Sequence, residues 1–215
     1  DVYDNAMFII ALDYLLEMAP DSPQASRWKS LREGIERNVR AHLWDVKRQK
    51  FIPHIYPEKS PIPEGFDELA IHYHGGTAIA IEAGLLSKDE IRTVNAQMLE
   101  NVRLSGMPSI GLTLYPVYPD GFFHGGMSKA YLYQNGGDWT WFGGRMIQQL
   151  VVNGMVEEAY AEIHPMIERV IQNDGFYEWY GKGGVPSGSG NFKGSAGVLS
   201  KAIELLRDWA EKNKS

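Results

Sequence analysis

Apolar positions along the chain fall into two kinds of helical stretch that alternate with one another. Residues 4–18 place Phe8, Ile9, Leu12, Leu15 and Leu16 on a broad face with few charges, which predicts a helix buried on most sides. After Asp21, Ser22 and Pro23, a helix-start pattern, residues 24–44 run an apolar line (Leu31, Ile35, Val39, Leu43) through many Arg and Glu side chains. That predicts an outer helix with one solvated face. The pair then returns. Residues 77–86 are apolar and nearly uncharged, and Ser87 to Glu90 has capping-box form ahead of a helix with Ile91, Val94, Met98 and Val102 on its inner stripe. A third inner helix carries Met146, Ile147, Leu150 and Val151; its outer partner, residues 156–172, carries Glu157, Glu158, Glu162, Glu168 and Arg169. Gly194 to Gly197 open a last helix that runs to Lys212. Residues 44–56 alternate loosely around Lys47, Arg48 and Lys50 and predict a short hairpin, while residues 57–65, 105–133 and 176–192 read as loops.

A small-residue turn precedes each inner helix, near positions 5, 76, 137 and 195. The spacing shrinks from roughly seventy to sixty residues, as a repeated helical hairpin with variable loops would give. Inner helices that are apolar all round bury themselves only if the hairpins stack side by side. The expected fold is therefore all-α: a partial α/α toroid of four inner and three outer helices, with a β-hairpin in one loop. The aromatic-rich loops all precede inner-helix N-termini, so they share one face, and function is expected there.

At 44% hydrophobic and 12% aromatic, the 215 residues suffice for a substantial core, and no apolar run reaches the length of a membrane span. A net charge of -6 without a basic stripe argues against a nucleic-acid partner, and the absence of cysteine excludes disulfides and thiolate metal sites. The chain begins with Asp, so its natural N-terminus is expected upstream. The densest chemistry lies in residues 133–145, where Tyr133, Asn135, Asp138, Trp139 and Trp141 surround two Gly-Gly pairs. Indoles beside a carboxylate and an amide suit a sugar, which offers C–H faces to stack on and hydroxyls to bond. A Gly-rich turn with buried tryptophans is the plain alternative. Asp138 reads as a sugar-hydroxyl ligand, a second carboxylate or a helix N-cap. Tyr133, Trp139 and Trp179 are candidate stacking platforms. His72 and His74 share one side of an extended segment; with no further ligand at suitable spacing, they and His124 are expected to bind hydroxyls rather than a metal. Arg145 is expected to form an internal ion pair.

Three segments carry a family likeness: Tyr133-Gln134-Asn135-Gly136-Gly137-Asp138-Trp139, Phe176-Tyr177-Glu178-Trp179-Tyr180, and Phe192-Lys193-Gly194-Ser195-Ala196-Gly197. Together with Trp44-Asp45, Phe51-Ile52-Pro53-His54 and Asp4-Asn5-Ala6, they resemble the six-hairpin α/α-barrel glycosidases. The amylo-α-1,6-glucosidase, trehalase and mannosyl-oligosaccharide glucosidase types are the nearest in character. The resemblance covers essentially the whole chain as the C-terminal half of one catalytic domain, residues 1–215. It implies hydrolysis of an oligosaccharide with inversion and no cofactor. Glu178, in the loop before the last inner helix, stands where the family has its general base. The family's general acid would lie upstream of Asp1. Six inner and six outer helices complete such a barrel, so an exposed apolar edge is expected here, and with it poor behaviour as a monomer or self-association. Two other readings remain open. One is a phosphorylase using Arg145, Lys182 or Lys193 as an anion site; the other is a toroid that binds sugar without cleaving it.

Overall fold

A computed structural model describes residues 1–214. The inner helices α1 (Val2–Met18), α3 (His74–Glu82), α5 (Thr140–Val152) and α7 (Lys193–Lys212) pack in that order, each against the next. Outer helices α2 (Ala25–His42), α4 (Lys88–Ser105) and α6 (Val156–Gln172) cover α1, α3 and α5. This is the incomplete α/α toroid that the alternation of apolar and amphipathic stretches predicts. Its core runs along the inner ring through Ile9, Ile79, Met146, Ile147 and Leu150, all fully buried, with Ile91, Met98 and Ile163 supplied by the outer helices. Burying each such side chain stabilises the fold by about 1.5–3 kcal/mol.

The ring is open, and its two ends are apolar. At the α1 end Phe8, Tyr14 and Met18 are exposed; at the α7 end Ile203 and Trp209 join Tyr160 of α6 around a groove of about 640 Å³. No helix among the described residues is long and apolar enough to cross a membrane.

Helix ends follow local chemistry. The Ser87 hydroxyl accepts from the Glu90 N–H while the Glu90 carboxylate accepts from the Ser87 N–H, closing the expected capping box on α4. Helix α1 is capped by Asp1, which accepts from the Asp4 N–H at 3.1 Å, and not by Asp4 itself.

Five local expectations are corrected. Helix α3 begins at His74, inside the stretch read as a turn, because α1 and α3 approach closely there. A Cβ on Gly76 would lie 2.7 Å from Val2 Cγ1, so glycine is used for contact and not for a bend. The first hairpin is shorter than expected, with β1 (Trp44–Asp45) paired to β2 (Lys50–Phe51). Lys50 is not a solvated charge: it is buried, donates to Leu69 O at 2.6 Å and Ile71 O at 2.5 Å, and burial lowers its pKa to about 8. A second hairpin, β3 (Trp179–Tyr180) with β4 (Pro186–Ser187), forms within residues 176–192. Finally, Glu162 and Arg169 on α6 turn inward, where charged side chains of an outer helix were expected to meet water.

Candidate active site

The loops that lead into the inner helices are stitched together laterally by backbone hydrogen bonds. The loop before α3 meets the loop before α5 where His72 pairs with Tyr115 and Gly75 N–H donates to Thr113 O; the latter loop pairs with itself, Gly111 with Trp139 and Thr113 with Gly137, and Asp138 pairs with Tyr180 of the loop before α7 in both directions at 2.8 and 2.9 Å. Phe192 N–H then donates to Phe176 O at 2.8 Å, which ties the start of α7 to the same ladder. Loops from successive hairpins thereby form one continuous surface over the inner-helix N-termini.

A cleft of about 440 Å³ opens on this surface, within the range of small-molecule sites. Tyr3, Tyr73, Tyr133, Trp139, Trp141 and Phe192 supply most of its wall, with Phe142, Gln134 and one carboxylate, Glu178. The rings brace one another. Tyr133 meets Trp139 edge-on at 4.9 Å between centroids, Trp139 meets Phe192 at 6.2 Å, and Tyr3 meets Phe142 at 6.1 Å. The Trp139 indole N–H donates to Tyr133 O at 3.1 Å, so its polar edge is occupied, and the ring itself is almost wholly covered by its neighbours. Burial raises the Tyr73 phenol to about 12, leaving its hydroxyl a neutral donor and acceptor.

Glu178 is held from its own loop. Its N–H donates to Ser189 O at 3.0 Å, and Ser189 N–H approaches its carboxylate at 3.4 Å. Gly188, at φ +71, lies flat against the carboxylate; a Cβ there would strike Oε2 as well as being strained. Tyr133 has φ of 50 and Tyr131 of 62, left-handed values that aromatic residues seldom adopt. Asn135 holds that turn in place. Fully buried, it accepts from Tyr118 N–H at 2.9 Å and donates to Tyr118 O at 3.1 Å, while Tyr131 N–H donates to the Asn135 carbonyl at 2.8 Å.

Beneath the cleft lies a buried ion pair. Asp138, with no solvent exposure, accepts from Arg169 Nη1 at 2.7 Å and from the Ser109 hydroxyl at 2.7 and 2.9 Å. Arg169 also donates to Thr140 Oγ1 at 2.7 Å and lies 4.0 Å over the Tyr180 ring. Since Asp138 and Tyr180 exchange backbone hydrogen bonds, this cluster fixes the strand that presents Glu178 two residues earlier.

Several sequence-derived assignments change. Asp138 and Asn135 cannot touch a sugar from full burial with these partners; they shape the walls instead. Asp138 is not a helix cap either, because Trp139 occupies that position without a side-chain cap bond. Trp179 is absent from the cleft wall and packs behind Tyr133 at 6.3 Å. His72 and His74 do not line the cleft. His72 borders an open groove along α4, and His74, buried, contacts Asn101 Nδ2 at 3.0 Å. Burial, with Lys50 nearby, lowers their pKa values to about 4 and about 3, so both are neutral. Their rings stack 5.8 Å apart because α3 starts at His74, which removes the extended segment assumed for them. His124 is exposed and outside the cleft wall. Among the described residues no three His, Cys, Asp or Glu side chains gather as a metal site. Arg145 forms the expected internal ion pair, with Glu82, and lies 4.5 Å over the Trp141 ring. Tyr3, Tyr73 and Phe192 went unassigned as wall residues, since an isolated ring on a helix or loop carries no signal that separates a wall from a core.

No family model matches the sequence, and no curated protein matches it. Among solved structures, the chain is similar to the glycoside hydrolase family 63 mannosylglycerate hydrolase from Thermus thermophilus, solved in complex with Tris and D-glycerate. The TM-score is 0.64 at 17% identity, covering 97% of this chain and 46% of that one, so this chain spans about half the length of its neighbour. At that identity the likeness shows the fold: this chain has the α/α toroid architecture found in a glycoside hydrolase of family 63.

Proposed function

We propose that the cleft belongs to a glycoside hydrolase acting on an oligosaccharide with inversion, Glu178 serving as general base. The observation that carries this reading is a lone carboxylate set in a wall of aromatic rings, on the face where all the inner helices begin. Aromatic faces suit the C–H surface of a pyranose, and the hydroxyls of Tyr3 and Tyr73 and the Gln134 amide can take its hydroxyls. Glu178 accepts a proton from a water as that water attacks the anomeric carbon. A second carboxyl group then protonates the departing glycosidic oxygen, and an inverting pair of this kind stands roughly 6.5–9.5 Å apart. Glu178 is the one carboxylate in this wall among the described residues, so the second carboxyl group of this reading stands outside the wall they form.

A phosphorylase is less well supported. No Lys or Arg lines the cleft among the described residues; Arg145 is paired with Glu82, and Lys182 sits 4.0 Å from the Tyr131 ring. The test is hydrolysis of α- and β-linked disaccharides and aryl glycosides by the protein carrying this chain, beside Glu178→Gln. Loss of roughly 10²–10⁴-fold in kcat, with phosphate making no difference, is expected. Proton NMR of the first-formed sugar should show the anomer opposite to the substrate's. Unchanged activity in Glu178→Gln removes the base assignment, and a retained anomer removes inversion.

A further inference from the structure

Next to the cleft is a second, smaller cavity of about 170 Å³. Tyr73 and Gln134 belong to both walls, so the two spaces meet at those side chains. Ile71, Leu114, Phe123 and Met127 supply apolar wall, and His54 borders the cavity but not the cleft. The imidazole is held from behind. His54 Nδ1 meets Glu68 Oε1 at 2.8 Å, and the Tyr56 and Tyr118 hydroxyls donate to the same oxygen at 2.8 and 2.6 Å. A carboxylate only accepts, so Nδ1 of the neutral ring carries the proton and Nε2 is left as an acceptor. Among the described residues, His54 Nε2, the Tyr73 hydroxyl and the Gln134 side-chain amide have no hydrogen-bond partner, and none of the three residues is buried.

We infer that this cavity holds the sugar that departs when the glycosidic bond breaks, with His54 Nε2 accepting from one of its hydroxyls. The inference rests on the hydrolase reading of the adjoining cleft. A cavity of about 150 Å³ accepts benzene, so this one has space for a single six-membered ring. A pyranose has C–H faces and peripheral hydroxyls, and the wall supplies a partner for each: aliphatic groups and Phe123 for the first, three unpaired polar groups for the second. An apolar occupant would leave those polar groups unmatched, at a cost in binding. The direction follows from inversion, in which water attacks one side of the anomeric carbon and the leaving group departs from the other. Glu178 borders the cleft and is absent from the cavity wall, as a site for the departing half requires. Water gives its hydroxyl to the anomeric carbon and its proton to Glu178. The glycosidic oxygen takes a proton from the second carboxyl group and leaves as a hydroxyl of the second sugar. Tyr73 and Gln134, at the junction, can bond hydroxyls of either half, whereas His54 meets only the departing one and so selects it.

A methyl glycoside of the same sugar and anomer fills the cleft and leaves the cavity empty. In the protein carrying this chain, kcat/KM for the disaccharide cleaved best should exceed that for the methyl glycoside. His54→Phe should lower that ratio by about tenfold, the upper range for one hydrogen bond. Comparing ratios between proteins cancels the difference in acidity of the two leaving alcohols. His54→Gln, whose amide oxygen can stand in for Nε2, should restore most of the preference. A ratio unchanged in folded His54→Phe overturns the proposal and leaves the hydrolase reading intact. Saturation-transfer NMR with glucose, mannose and galactose supplies a readout free of catalysis. Transfer to at least one of them is expected in the parent, and it should fall in Met127→Trp, which fills the cavity from a partly exposed loop position. If transfer falls in that variant while the parent cleaves no glycoside, the hydrolase reading fails and the cavity remains a sugar site. No transfer to any of the three in the folded parent, or transfer unchanged in Met127→Trp, overturns the cavity assignment.

Discussion

At Asp138 a carboxylate removed from solvent depends on one guanidinium and one hydroxyl for all its polar contacts, and Arg169 lies equally deep. Removing one member of such a pair leaves the other charged and unmatched, which costs about 3–5 kcal/mol. Arg169→Met should therefore lower unfolding free energy by about that amount in chemical denaturation, and Asp138→Asn introduced beside it should recover part of the loss. Arg169 was not legible as part of the site. On an amphipathic helix, an Arg near Glu168 reads as a solvated charge, and no local pattern shows that one such residue turns inward. Glu178 was legible, because it stands among rings in a loop that opens an inner helix. The histidines misled for a defined reason: their alternation matters only in extended chain, and close packing against Val2 lets the helix begin through Gly75 and Gly76.

Among the elements, α4 and α6 are joined by a buried polar contact. Asn95 Nδ2 donates to Glu162 Oε1 at 2.7 Å, while Asn95 Oδ1 and Glu162 Oε2 have no partner. A proton on Oε2 supplies the missing donor for that pair. Burial above all, with Glu158 adding repulsion, raises the Glu162 pKa to about 7 against the counteracting Asn95 bond. The native state thus keeps a proton that the unfolded chain, near pH 4.3, has already released. Stability from this group is complete below about pH 4.3, declines as pH rises toward 7, and is level above that, a loss of roughly 4 kcal/mol. Glu162→Gln keeps a donor and an acceptor facing Asn95 and cannot ionise. Measured between pH 4.5 and 8, its stability relative to the parent should rise with pH; a constant difference would show that Glu162 does not titrate in that window. Helix identity and the Ser87 cap were legible at this scale, since both are written in spacing of a few residues. The ladder of loops was not, because it joins residues distant in sequence that follow no period.

For the whole molecule, the expectation of an open ring rests on counting hairpins, and the exposed rings and aliphatic groups at both ends match it. We propose that these two edges drive association when nothing covers them. Trp209→Lys with Met18→Lys should shift the isolated 215-residue chain toward monomer in analytical ultracentrifugation, without altering its helical circular dichroism. An unchanged distribution would place the association elsewhere or show that there is none. The ladder across the cleft has a different consequence, for recombination. Helical hairpins look like interchangeable cassettes, yet the loops that lead into α3, α5 and α7 share edges: Tyr115 pairs with His72, Gly75 N–H donates to Thr113 O, and Tyr180 pairs with Asp138. Chimeras that exchange a single helix pair would import one side of a seam without its mate. Crossovers belong in residues 57–65, which hold none of the rungs, so that everything from His72 to Phe192 passes to the progeny as one inherited block.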